Sequence, residues 1–116
     1  MPHFYGWGSE PRGIGLEVSG ALRAGVIYTN YSGGNVFASI AIEGRMNEKF
    51  LHAIFYNPFI AWRVRHIGCT IDEDNTKSLK LCSHLGFTEC GRLRQAAFNG
   101  EDIIIMGMLK HECRWL

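Results

Sequence analysis

The chain is predicted to be one mixed α/β domain whose mostly antiparallel sheet carries flanking helices, in the order β-β-β-α-β-α-β-β. Three features point to it. Glycine-rich turns separate short β-patterned runs in the first half, and two helical periodicities interrupt the strands after residue 47. Between them lies the apolar run 66–71, placed to pair in parallel with the third strand. At 116 residues the chain is long enough to close one core without metal or disulfide staples, so residues 1–116 are expected to form a single domain.

The strand candidates are residues 13–18, 22–30 and 35–43, separated by Ser19-Gly20 and Ser32-Gly33-Gly34. Glycine accepts positive φ without steric cost, which suits tight turns. On the third strand Val36, Ala38, Ile40 and Ile42 share one face, and Phe37, Ser39, Ala41 and Glu43 the other. Both faces are mostly apolar, so this strand is expected to be central and covered on both sides.

Asn47 is a plausible N-cap for a helix in which Phe50, Leu51, Ile54 and Phe55 recur at helical spacing. Pro58 kinks that helix, or ends it near Tyr56 with a restart in which the proline occupies the first turn. Residues 66–71 form the fourth strand. A second helix comes next, opening at Asn75 with Lys77 and Ser78 in its first turn and stopping at Gly86. Residues 87–98 and 102–109 then make a hairpin around Asn99-Gly100. A crossover helix on each side of the sheet is the expected arrangement.

Composition limits the function. A hydrophobic fraction of 47%, a charged fraction of 20% and a net charge of +1 are those of a globular protein, without the basic excess of a nucleic-acid binder. Scattered cations such as Arg63, Arg65, Arg92 and Arg94 make nucleic acid the weakest reading. No apolar run approaches a membrane span, and the first residues lack a charged-then-apolar leader pattern. Cys69, Cys82, Cys90 and Cys113 show no metal-like spacing and read as reduced thiols, as in a cytoplasmic protein. His3, His52, His66, His84 and His111 show none either, so no metal site is expected. The aromatic run Phe4-Tyr5-Gly6-Trp7 would line an acceptor groove or a dimer contact.

The second helix and the last two strand candidates carry a resemblance. Asn75-x-x-Ser78-Leu79, Leu85-Gly86-Phe87, Gly91-Arg92-Leu93-Arg94 and Asn99-Gly100 with Asp102 and its apolar strand together resemble the GNAT superfamily of N-acyltransferases. The branch most resembled is the one that acetylates ribosomal-protein N-termini, with its small-molecule relatives. Compact chains of this build also occur in bacteriophage genomes. The resemblance implies acetyl-CoA as co-substrate and a primary amine, of a protein Lys, an N-terminus or a small molecule, as acceptor. It further implies two parallel strands that splay to admit pantetheine. Residues 37–43 would then supply a strand edge, with Ala41, Ile42 and Glu43 at the cofactor. Arg45, Asn47 and Lys49 would hold the pyrophosphate, Asn75 the pantetheine arm, and Lys77 and Lys80 the nucleotide phosphates. Glu43 would be the base, with Asp72 and Glu73 as alternatives. Ser78 would assist the departing thiolate from the position one turn before Cys82, where many relatives place a Tyr.

Two departures accompany this resemblance. The family's glycine-containing pyrophosphate loop corresponds to residues 45–50, which hold no glycine and carry the opposing charge of Glu48. Only about a dozen residues precede the first strand, where the family has a strand and two helices, so the chain reads as an N-terminally truncated form. A homodimer covering an apolar sheet face is expected from that shortness. The same departures carry a different function class, a GNAT-like binding module without catalysis that docks on a host protein.

Overall fold

The computed structural model describes residues 12–18, 21–45 and 47–116, with side chains from residue 24 onward. The aromatic run 4–7 and the Ser19-Gly20 turn lie outside the described residues. The elements are β1 (Arg12–Val18), β2 (Ala21–Thr29), β3 (Asn35–Ile42), α1 (Glu48–Tyr56), β4 (His66–Asp72), α2 (Thr76–Leu85), β5 (Thr88–Leu93) and β6 (Ile103–Leu109). They form a six-stranded sheet in the order β1-β2-β3-β4-β6-β5. Only β3 and β4 pair in parallel, and every other neighbouring pair is antiparallel. The predicted element order is the one observed.

Each helix starts where a side chain can replace a missing intrahelical partner. Asn47 Oδ1 accepts from the Phe50 amide at 3.1 Å and caps α1. Asn75 Oδ1 accepts from the Ser78 amide at 3.2 Å and caps α2. At the far end of α2, Gly86 takes φ +113°, and its amide and that of Phe87 both reach the Cys82 carbonyl. That is the left-handed stop glycine allows.

α1 ends at Tyr56, and Pro58 falls in the first turn of the segment that follows, one of the two arrangements expected. A short π-helical stretch, Asn57–Ala61, continues α1, with the Trp62 amide reaching the Asn57 carbonyl at 2.9 Å. Proline has no N–H to give the carbonyl four residues back, so the Ile54 carbonyl is released from the helical ladder. The Tyr28 hydroxyl of β2 donates to it at 2.5 Å. Tyr28 is fully buried, and its ring meets Trp62 edge-on at 4.8 Å between centroids.

Three expectations require correction. First, both helices lie on one face of the sheet. Tyr28 sits opposite Ala38, Val36 sits opposite Ile67, and Ile67 shares its face with Cys69. Tyr28 touches α1 and Cys69 hydrogen-bonds Cys82 of α2, so one face receives both helices. Topology explains it. β5 runs parallel to β4 with β6 between them, so the β3–α1–β4 and β4–α2–β5 connections step across the sheet in the same direction. Right-handed connections that step the same way put their helices on the same side.

Second, β3 is not covered on both faces by the described residues. Val36 and Ala38 are buried under the helices, whereas Ser39, Ala41 and Glu43 on the other face are exposed. Third, β5 stops at Leu93, not at residue 98. A tight turn does form at Asn99-Gly100, where the Gly100 amide reaches the Ala97 carbonyl at 3.0 Å. It sits on a loop, residues 94–102, that leaves Phe98 fully exposed. Gln95 adopts φ +57° and its amide donates to Asp102 Oδ1 at 2.9 Å, so the carboxylate takes a donor that a strand ladder would have used.

Candidate functional site

The site is a gap between two parallel strands. β3 and β4 pair only at Asn35–His66, Val36–Ile67 and Phe37–Gly68. Past that rung they separate, although β3 stays paired with β2 to Ile42 and β4 stays paired with β6 to Asp72. Phe37 lies across Gly68 at the last rung, where an added Cβ would stand 2.8 Å from the ring. Separation leaves the facing backbone groups of both strands without ladder partners, a costly arrangement unless something polar fills the gap.

A cavity of about 240 Å³ occupies that gap. Ala38, Ser39 and Ile40 line it from β3, Cys69, Thr70, Ile71 and Asp72 from β4, and Asn75, Ser78 and Cys82 from the start and first turns of α2. Residues from both sheet faces are among them, so the gap runs through the sheet. Apart from Ile40 and Ile71 its side chains are small or polar, and the slot is open.

The structure brings together only some of the residues singled out in the sequence. Asn75 and Ser78 line the slot, and Asn75 is also the cap of α2. Ala41, Ile42 and Glu43 sit on β3 and just after it, past the lining residues, with Ala41 and Glu43 exposed. The usable β3 edge begins at Ala38, because Phe37 is engaged with β4. Arg45 and Lys49 are exposed in the β3–α1 connection and the first turn of α1, and Asn47 caps that helix. Lys77 and Lys80 are exposed on α2 and do not line the slot.

Of the alternative carboxylates, Asp72 lines the slot. Glu73 is committed elsewhere, since it pairs with Arg92, which also reaches Glu89 at 3.2 Å and Asp102 at 3.4 Å. The amide of Gln95, with Arg92 beside it, holds the Asp102 carboxyl below the usual carboxylate range. This exposed network ties the α2 entry to the β5–β6 loop.

Ser39 and Ile40 fall within the 37–43 edge that the resemblance implied, whereas sequence reasoning missed Thr70 and the Cys69–Cys82 pair. Alternation along the two strands assigned their faces, but it carried no signal for where the ladder opens. The two thiols are buried and share a hydrogen bond. That bond and burial push the Cys69 thiol up, and Cys82 is the member of the pair that the bond helps to ionise. Among the described residues no group of three or more His, Cys, Asp or Glu is placed to hold a metal ion. No described helix is long and apolar enough to cross a membrane.

No protein-family model and no curated protein matches the sequence. Solved structures do match the fold. A chimera of the Vibrio cholerae spermidine N-acetyltransferase SpeG and hSSAT superposes with TM-score 0.70 at 20% identity, over 87% of this chain and 68% of its own. A point mutant of SpeG from the same organism gives 0.72 at 20% identity, over 91% and 68%. Campylobacter jejuni N-acetyltransferase PseH, in complex with acetyl coenzyme A, gives 0.65 at 12%, over 86% and 68%. The chain therefore spans about two thirds of the length of these structures. Its mixed sheet, opened between two parallel strands and carrying both helices on one face, has the fold of the GNAT acetyltransferases.

Proposed function

We propose that the chain is an acetyl-CoA-dependent N-acetyltransferase that passes an acetyl group to a primary amine by direct attack. The observation that carries this reading is the slot. Two strand edges with unmatched amides and carbonyls flank an opening of a width set by the missing ladder, and a pantetheine arm, with two amides of its own, can pair with them like a short strand. PseH, whose fold this chain shares, holds acetyl-CoA.

In this reading Ala38–Ile40 and the adjoining Ala41, Ile42 and Glu43 form the edge along which the arm lies. Arg45, Lys49 and the first-turn amides of α1 beyond the Asn47 cap hold the pyrophosphate, a helix N-terminus being favourable for anions. Asn75 bonds the arm from its place at the slot, and Lys77 and Lys80 supply charge toward the nucleotide phosphates. Asp72 lines the slot and serves as base, directly or through water, while Glu43 stands at the neighbouring strand end. The amine attacks the thioester carbonyl, whose oxygen takes a strand amide, and Ser78 donates to the departing thiolate. Thiolate is a good leaving group, so a hydroxyl of ordinary acidity suffices.

The acceptor is an amine, of a small molecule or a protein. SpeG is named for spermidine, and the open face beside the slot leaves room for a larger acceptor. That face exposes Ile27 of β2 at 51%, and a second copy of the chain packs at this β1–β2 end in this reading, leaving the β4–β6–β5 end free. Titration calorimetry with acetyl-CoA and with CoA tests the cofactor, and light scattering at micromolar concentration tests the dimer. Micromolar binding and acetyl transfer to a polyamine or peptide amine support the assignment. Folded protein that ignores millimolar acetyl-CoA overturns it. Binding of CoA without transfer to any amine would leave the non-catalytic docking module, which Glu48 and the glycine-free 45–50 segment favour.

A further inference from the structure

A second cluster of chemically active side chains lies on the open sheet face, outside the slot. His66 of β4 is half-buried, and its Nδ1 donates to Asn35 Oδ1 at 2.7 Å across the β3–β4 pair. That bond selects the tautomer and leaves Nε2 as an acceptor. Nε2 points over β6 at Gly107, where an added Cβ would collide with it and would stand 3.2 Å from Cys90 Sγ. The imidazole and the thiol therefore border the same space over Gly107, which is open to both because that residue has no side chain.

The thiol reaches that space through a bulge. The β5–β6 register runs from Glu89–Met106 to Gly91–Ile105 and skips Cys90. A bulge re-aims the side chain of its extra residue, and this one keeps Cys90 exposed. A thiol beside an imidazole whose other nitrogen is held by an amide oxygen is the grouping of acyl-transferring cysteine nucleophiles.

We propose that Cys90 is a nucleophilic thiol that accepts acyl groups from small thioesters, with His66 as its base and Asn35 as the positioning residue for His66. Cys90 gives its proton to His66 Nε2 and the thiolate attacks the thioester carbonyl. A new carbon–sulfur bond forms to Cys90, the bond to the departing thiol breaks, and Nε2 returns the proton to that thiolate. Nothing is oxidised or reduced. The reaction neither uses the slot nor depends on acetyl-CoA binding there.

Phenyl thioacetate, which has no pantetheine arm, is the probe. Released thiophenol measures the rate, and peptide mapping by mass spectrometry identifies the acylated residue. On the full chain at neutral pH, the acetyl group is expected on Cys90, at least about tenfold faster in the folded protein than on the same thiol in urea. His66→Gln slows it about 100-fold, the low end of what a general base contributes. Asn35→Ala slows it less, and Asn35→Asp, which still accepts from Nδ1, restores it. Acetyl on Cys82 or Cys113 in place of Cys90, or a His66→Gln rate equal to wild type, overturns the proposal. Should His66→Gln not fold, the wild-type comparison decides, because a Cys90 that reacts no faster folded than in urea has no assisting base.

Discussion

The Tyr28 hydroxyl donates a 2.5 Å hydrogen bond to the Ile54 carbonyl, the acceptor that Pro58 cannot satisfy. A strand side chain thereby completes a helix and pins α1 to the sheet beside the slot. Replacement by Phe keeps the ring against Trp62 but leaves a buried carbonyl without its donor. Tyr28→Phe is expected to cost about 1–3 kcal/mol, measured by urea unfolding. A change within experimental error would mean that the contact contributes nothing.

The same residue sets an alkaline limit. Burial pushes the Tyr28 phenol far above its ordinary range. The folded state therefore holds the proton that the unfolded chain releases near pH 10, about the reference value for tyrosine. Its contribution is fully present below that pH and is lost as pH rises above it. Wild-type protein should lose stability steeply above about pH 10, and Tyr28→Phe should lose less. Parallel pH curves for the two proteins would dismiss the idea.

Filling the slot separates binding from folding. Ser39 is exposed and lines the cavity from β3. Ser39→Phe places a ring in the gap, and a surface change of this kind alters stability by about 0.5 kcal/mol or less. Thermal shift by acetyl-CoA should vanish while the unliganded melting temperature barely moves. An undiminished shift would place the cofactor elsewhere.

Asn75 has two assigned tasks that one substitution can part. Ala removes the cap and should cost about 1 kcal/mol, whereas Ser caps as well as Asn does. Asn75→Ser should therefore keep the stability of α2 yet weaken acetyl-CoA binding, since its shorter side chain withdraws from the slot. Equal affinity of the Ser variant and wild type, read by calorimetry, would confine Asn75 to capping.

Gly86 needs its missing side chain twice. Its φ of +113° is strained for any L-residue, and an added Cβ would stand 3.2 Å from the Met108 methyl. Gly86→Ala is expected to destabilise by about 1–3 kcal/mol in denaturant unfolding. A neutral result would show that the α2 stop relaxes freely.

Element order, the Asn47 cap, the opening of α2 at Asn75 and the glycine that ends α2 were legible in the sequence. These are local signals, readable from a side chain and the backbone groups within four residues of it. Asn75 and Ser78, named from the resemblance, stand in the slot, whereas Lys77 between them does not line it. Which face receives the helices was decided by the strand order, because β6 inserts between β4 and β5 and makes both connections step the same way. Where the ladder opens was likewise a tertiary matter. Alternation along β3 and β4 continues unchanged past Phe37 and Gly68, while the strands themselves part. The placing of Asn35, His66 and Cys90 around Gly107 depends on three strand registers and one bulge, and those arise from pairing among residues far apart in the chain.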